Sequence, residues 1–163
     1  MKKFLLSIVG ILFLIFLFLF WGGNYFTTYS INSKIENLRD SIDFSQKELF
    51  TYSQISDKPK LLQKYISKVV NDNSYFPNFI SLNQSGEFKT DVNSEWLPIK
   101  ATEYFTIKKP NLLWESEIKN SKFFWVKAID SYLNGTGNML IKINSSITIA
   151  DSWGIELDKS GLF

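Results

Sequence analysis

From Phe4 to Trp21 the chain reads F-L-L-S-I-V-G-I-L-F-L-I-F-L-F-L-F-W, an apolar block interrupted only by Ser7 and Gly10 and free of charge. As a helix it would reach about 27 Å, close to the hydrocarbon thickness of a bilayer. A surface helix of a globular domain shows a polar face, and this block has none. Lys2 and Lys3 precede it, whereas Gly22, Gly23, Asn24 and Tyr25 come after it without charge. The positive-inside bias then sets the N-terminus in the cytoplasm and the rest outside, with Trp21 and Tyr25 as interfacial anchors. A cleaved signal peptide would have a shorter apolar core and a small-x-small cleavage site. The sequence W-G-G-N-Y-F offers no such site. Residues 1–25 are therefore expected to form a single-pass signal anchor, with the bilayer as partner through residues 4–21. The domain beyond is expected to be extracytoplasmic, and periplasmic if the cell is Gram-negative.

Composition removes several chemistries. The 163 residues contain no Cys and no His, which excludes a thiol nucleophile, a disulfide, a Cys/His zinc site and a Ser-His-Asp triad. No cofactor is called for. Lys2 and Lys3 account for the whole net charge of +2, and the remainder is balanced. Nucleic-acid binding needs a clustered basic excess, so no nucleic acid is expected as a partner. The length of chain beyond Trp21 suits one domain.

Ile31, Ile35, Leu38 and Ile42 fall on one helical face of a polar stretch, so residues 26–56 are expected to form a juxtamembrane helix or stalk, with a solvated spacer favoured. A firmer helix is expected next, with Asp57 as N-cap and Pro59 in its first turn. Its stripe of Leu61, Leu62, Tyr65, Ile66, Val69 and Val70 should pack on a sheet, and Asn71-Asp72-Asn73 should end it.

From Ser81 onward the period is close to two. Ile99, Ala101, Glu103, Phe105 and Ile107 alternate with polar neighbours, as do Leu112, Trp114, Ser116 and Ile118. With a loop at 108–111, Ile107 would face Leu112, Phe105 would face Trp114, and Ala101 would face Ile118, putting both apolar sets on one side. A third strand is expected over 122–133 and a fourth over 138–149, joined at Asn134-Gly135. A two-residue Asn120-Ser121 turn and a two-residue Asn134-Gly135 turn put opposite faces of the third strand inward. One loop must then be odd in length, or the strand bulges, or both its faces are covered. The expected fold class is α+β: an N-terminal transmembrane helix, amphipathic helices, then a curved antiparallel sheet, a half-barrel-like meander. The sheet domain is assigned to 57–163.

Glu103 sits on an otherwise apolar strand face, where a carboxylate needs a partner or a raised pKa. It reads either as a polar anchor in a ligand cavity or, more plainly, as a satisfied Glu. The face of Asp130 depends on the register, and Ser131 has no base to activate it. Glu115 and Glu117 read as a solvated face with Lys119. The aromatics in strand-like sequence suit an ordinary core or a sheet curved around an acyl chain. The candidate ligand-binding residues are Glu103, Phe105, Trp114, Trp125, Asp130 and Tyr132, with no catalytic and no metal residue. Three readings stand: an apolar-ligand or lipid-binding domain, then a structural or protein-interaction module at the membrane, and third an enzyme, which without His or Cys would depend on carboxylates such as Glu103 and Asp130.

Several landmarks occur in order: Pro59 ahead of L-L-Q-K-Y-I, Gly86 in Q-S-G-E-F, W-L-P at 96–98, E-Y-F at 103–105, Pro110 and Trp114. D-S-Y-L-N-G-T-G-N-M at 130–139, Ala150 and G-I-E-L-D at 154–158 complete the set. Over about Pro59 to Gly161 the chain resembles an uncharacterised, membrane-anchored bacterial family classed only as a domain of unknown function, 6544 or 6920. The D-S-Y…G-x-G-x-M block is its most specific part. The resemblance implies location and fold but no activity. It also implies an R-Y-L…W-x-P continuation beyond Gly161, so the sheet is expected to lack its last strands. The aromatic strand pattern is similar, at the level of fold, to the half-barrel of lipoprotein carriers.

Overall fold

The computed structural model describes residues 2–18 and 22–161. Helix α1 spans Lys2–Leu17 and buries none of its residues. Among the described residues no helix is long and apolar enough to cross a membrane. The expected transmembrane helix is therefore not shown, and residues 19–21 of its span lie outside the described residues.

Helix α2, Gly23–Asp40, buries Thr27, Ile31 and Leu38. A short ladder of β1 (Leu49–Phe50) with β2 (Ser74–Tyr75) brackets α3, Lys60–Val69. Phe50 is buried there and meets Tyr52 and Phe76 edge-on, at ring-centroid distances of 6.0 and 5.6 Å. Six strands come next: β3 (Phe79–Phe88), β4 (Leu97–Thr106), β5 (Asn111–Lys119), β6 (Trp125–Leu133), β7 (Thr136–Ile143) and β8 (Ile147–Trp153). They form one antiparallel sheet in chain order, and α4, Ile155–Ser160, closes the described chain.

The register settles the conflict at the third strand. Ile118 pairs with Val126 and Ala128 with Ile141, so residues 120–124 form a five-residue loop, odd in length. Asn134 and Gly135 make the expected two-residue turn, with φ of 52° and 87°, the backbone that a type I′ hairpin demands. The β4–β5 pairing is shifted by two residues from expectation. Phe105 faces Leu112, Glu103 faces Trp114, and Ile99 faces Ile118, because the turn occupies 107–110. A slip of two keeps every side chain on its face, so the apolar sets still coincide. The expected fourth strand divides into β7 and β8 at a 144–146 turn, where Asn144 and Ser145 take φ of 49° and 57°.

The helix on the sheet is α2 and not the one at 57–70. Ile31 and Leu38 pack with Leu113 and Ile129, joined by Ile35, Phe79, Tyr104, Leu133 and Leu140. Each fully buried aliphatic side chain here is worth roughly 1.5–3 kcal/mol. Thr27 fixes the near end: its hydroxyl donates to the Ser145 carbonyl at 2.6 Å and accepts from Lys142 Nζ at 3.1 Å. By contrast, α3 buries no residue, and Leu61 and Tyr65 stay 81% and 63% exposed. Its N-cap is Pro59 rather than Asp57.

Candidate functional site

Strand alternation divides the sheet into two unlike faces. The covered face carries Tyr104, Leu113, Ile129 and Leu140, and α2 lies on it. These belong to the alternation that reads as the polar side in sequence. The face holding the two apolar sets points the other way. On that open face α4 occupies one corner. The Asp158 carboxylate accepts from the Gly137 N–H at 2.8 Å, and a Cβ on Gly137 would collide with the Leu157 carbonyl oxygen. Elsewhere on it large side chains remain part-exposed, including Leu82, Phe88 and Ile147.

Rows of paired residues run across the open face. One row reads Leu82, Glu103, Trp114, Asp130, Met139, and the row on its β4-end side reads Ile80, Phe105, Leu112, Tyr132, Gly137. Five of the six sequence-derived candidates, Glu103, Phe105, Trp114, Asp130 and Tyr132, thus share one patch. Trp125 does not. It lies on the covered face, where its indole N–H donates to Ser145 Oγ at 3.1 Å. The five-residue loop before β6 decides this, since the shorter turn would have placed it with the others.

Gln84 is the residue that sequence reading missed. Its amide donates to Glu103 Oε2 at 2.9 Å and accepts from Trp114 Nε1 at 2.9 Å. The Glu103 carboxylate is therefore satisfied by a neutral partner, as the plainer reading of it had it. No local signal marks Gln84, because only the β3–β4 register brings it to Glu103.

Asp130 stands differently. It lies between Trp114 and Met139 in its row. Burial pushes its carboxyl above the ordinary aspartate range, offset in part by a hydrogen bond from the Ser131 backbone N–H. Burial of this kind disfavours the charged form of the carboxyl.

The next row is built small: Ala101, Ser116, Ala128, then Ile141. It is flanked by the Trp114 row and by Ile99, Ile118, Val126 and Ile143. Ser116 is 1% exposed, and its hydroxyl has no hydrogen-bond partner among the described residues. Ala101, Ser116 and Ala128 of this row are all buried between those flanking rows.

The covered face holds a groove of about 540 Å³ beyond α2, lined by Asn83, Lys100, Thr102, Glu115, Glu117 and Lys127. Lys127 and Glu115 pair across it at 2.6 Å. Its charges balance, two lysines against two glutamates, and its lining also takes in Gln84 and Ala101. Among the described residues no group of three or more carboxylates comes together that could hold a metal ion.

Comparison with protein-family models matches residues 56–163 to a family of unknown function. No curated protein matches the chain. No solved structure matches it either.

Proposed function

The chain belongs to that family, DUF6920, and from this premise we propose that it is a membrane-anchored, extracytoplasmic domain that binds a lipid or other apolar ligand on the open face of its sheet. The observation that carries this reading is the placement of α2. The core helix sits on the mixed face, and the more apolar face keeps large part-exposed side chains. An apolar surface of this kind in a folded domain signals a binding site. Trp114 and Met139 supply apolar contact on either side of Asp130 in one row, and the Gln84–Glu103 pair supplies polar groups beside it.

The anchor is supported by the exposure of α1. Phe4 and Leu6 are 73% and 71% exposed, and every residue of the helix is open. An apolar helix without a polar face is stable only in an apolar medium. Lys2 and Lys3 hold the cytoplasmic side.

The test is native mass spectrometry of the full chain released from detergent micelles. A retained adduct of lipid mass is expected, and Ala128→Trp, which fills the small row, should abolish it. A compact species that never carries an adduct would overturn the reading. One observation favours a second reading, a protein-interaction module: the stripe of α3 is uncovered at Leu61, Tyr65 and Val69. The adduct-free outcome would favour that reading.

A further inference from the structure

Three loops share one end of the sheet: 89–96 between β3 and β4, 120–124 between β5 and β6, and 144–146 between β7 and β8. The start of α2 lies at the same end. Thr27 bonds to Ser145, and Gly23 is so close to Ser146 that a Cβ there would collide with its Oγ. Leu17 ends α1 only six residues before Gly23, a reach of at most about 21 Å. The apolar helix therefore leaves the domain from this end and no other.

These loops present large apolar side chains to solvent. Val92 is 82% exposed, Phe123 74%, Trp96 59% and Phe124 40%. Tyr25, Phe26 and Tyr29 are exposed on the first turns of α2. The phenylalanines stand on a built turn. The Asn120 and Ser121 N–H groups donate to the Phe124 carbonyl at 3.1 and 3.0 Å. Asn144 Nδ2 donates to the Phe123 carbonyl, and Asn144 Oδ1 accepts from the Trp125 N–H, each at 3.0 Å. Exposure alone does not select this end, since Trp153 and Ile155 are exposed at the other. Continuity with α1 does.

Resting on the reading of α1 as an anchor, we propose that this end of the domain is a bilayer-contact surface, with Val92, Trp96, Phe123 and Phe124 seated in the interfacial layer that α1 enters. Aromatic side chains favour that layer. Charge plays a minor part. Lys122 is offset by Asp91 and Glu95, Lys119 pairs with Glu117 at 3.3 Å, and Lys89 lies 5.2 Å from the Trp96 ring centroid. Contact should therefore persist at high salt and on neutral lipid.

The absence of cysteine makes the test direct. Leu14→Cys, Val92→Cys, Phe123→Cys and Lys109→Cys are each made in the full chain, labelled with an environment-sensitive fluorophore and reconstituted into neutral phosphatidylcholine vesicles. All four side chains are exposed, so the substitutions remove no core contact, and cooperative melting verifies the fold. The expected result is blue-shifted emission, quenched by brominated lipid, at positions 14, 92 and 123, with position 109 in water. Position 14 in lipid with 92 and 123 in water overturns the contact surface and leaves the anchor standing. Position 14 in water overturns the anchor and the contact with it. Lipid signal at all four positions also overturns the proposal, because this end would not be selected.

Discussion

On the open face Ser116 buries a hydroxyl without a partner among the described residues, and Asp130 holds a carboxyl whose charged form burial disfavours. A buried hydroxyl without a partner costs about 1–3 kcal/mol in desolvation. Ser116→Ala should therefore hold or raise the melting temperature, and a marked loss in calorimetry would mean that the hydroxyl has a partner in solution. For Asp130 the sign comes from linkage. Its pKa is raised on folding above 3.8, so the folded state binds the proton more readily, and ionisation costs stability. That cost is absent below the unfolded value and grows as pH rises through the folded one. Asp130→Asn should be more stable than the native chain near about pH 7, with the difference closing toward about pH 3. Urea melts across that range would show a constant difference if the cause lay elsewhere. Gly137 is constrained differently, by the approach of the Leu157 carbonyl. Gly137→Ala must push α4 off β7, at an expected cost of about 1–3 kcal/mol, visible as faster amide exchange in residues 155–160.

At the scale of elements, two helices with similar apolar spacing have opposite fates. Ile31, Ile35 and Leu38 of α2 enter the core, whereas the broader stripe of α3 stays in solvent. Ile31→Ala and Leu38→Ala should each cost about 2–4 kcal/mol. Leu61→Ala and Val69→Ala should change stability by less than about 0.5 kcal/mol. Denaturant midpoints of the four variants test this, and equal losses in both helices would refute the assignment. Periodicity marked α3 as a helix, and in α2 it showed one helical face within a stretch expected to be a solvated spacer. The amount of apolar surface did not decide which is buried. Chain geometry did, because α2 is pinned at Thr27 beside the Ser145 turn, while α3 is held in its own small ladder. The strands show the converse. Alternation made the apolar face legible even though the β4–β5 pairing was read two residues out, since a period of two tolerates that error.

For the whole molecule, the matched region begins at residue 56, yet part of the core comes from residues 27–38. A chain of residues 56–163 alone would expose Leu113 and Ile129. It should lack the cooperative urea transition that residues 22–163 retain, and equal cooperativity in both would show that α2 is dispensable. Of the candidate site, the sequence alone could place Glu103, Phe105 and Trp114 together, because they lie on two adjacent strands joined by one short turn. It could not place Asp130 and Tyr132 with them or remove Trp125, because their side depends on the length of the 120–124 loop. Gln84 escaped notice because its role is made by a partner nineteen residues away. By itself the sequence determined the apolar N-terminal block, the helical and strand periods, the Asn134-Gly135 turn and the balanced charge, since each arises from neighbours within a few residues. Only the tertiary structure decided which helix covers the sheet, which face is left open and which loops stand beside α1. Those are choices among packings of similar local energy, settled by contacts between segments far apart in the chain.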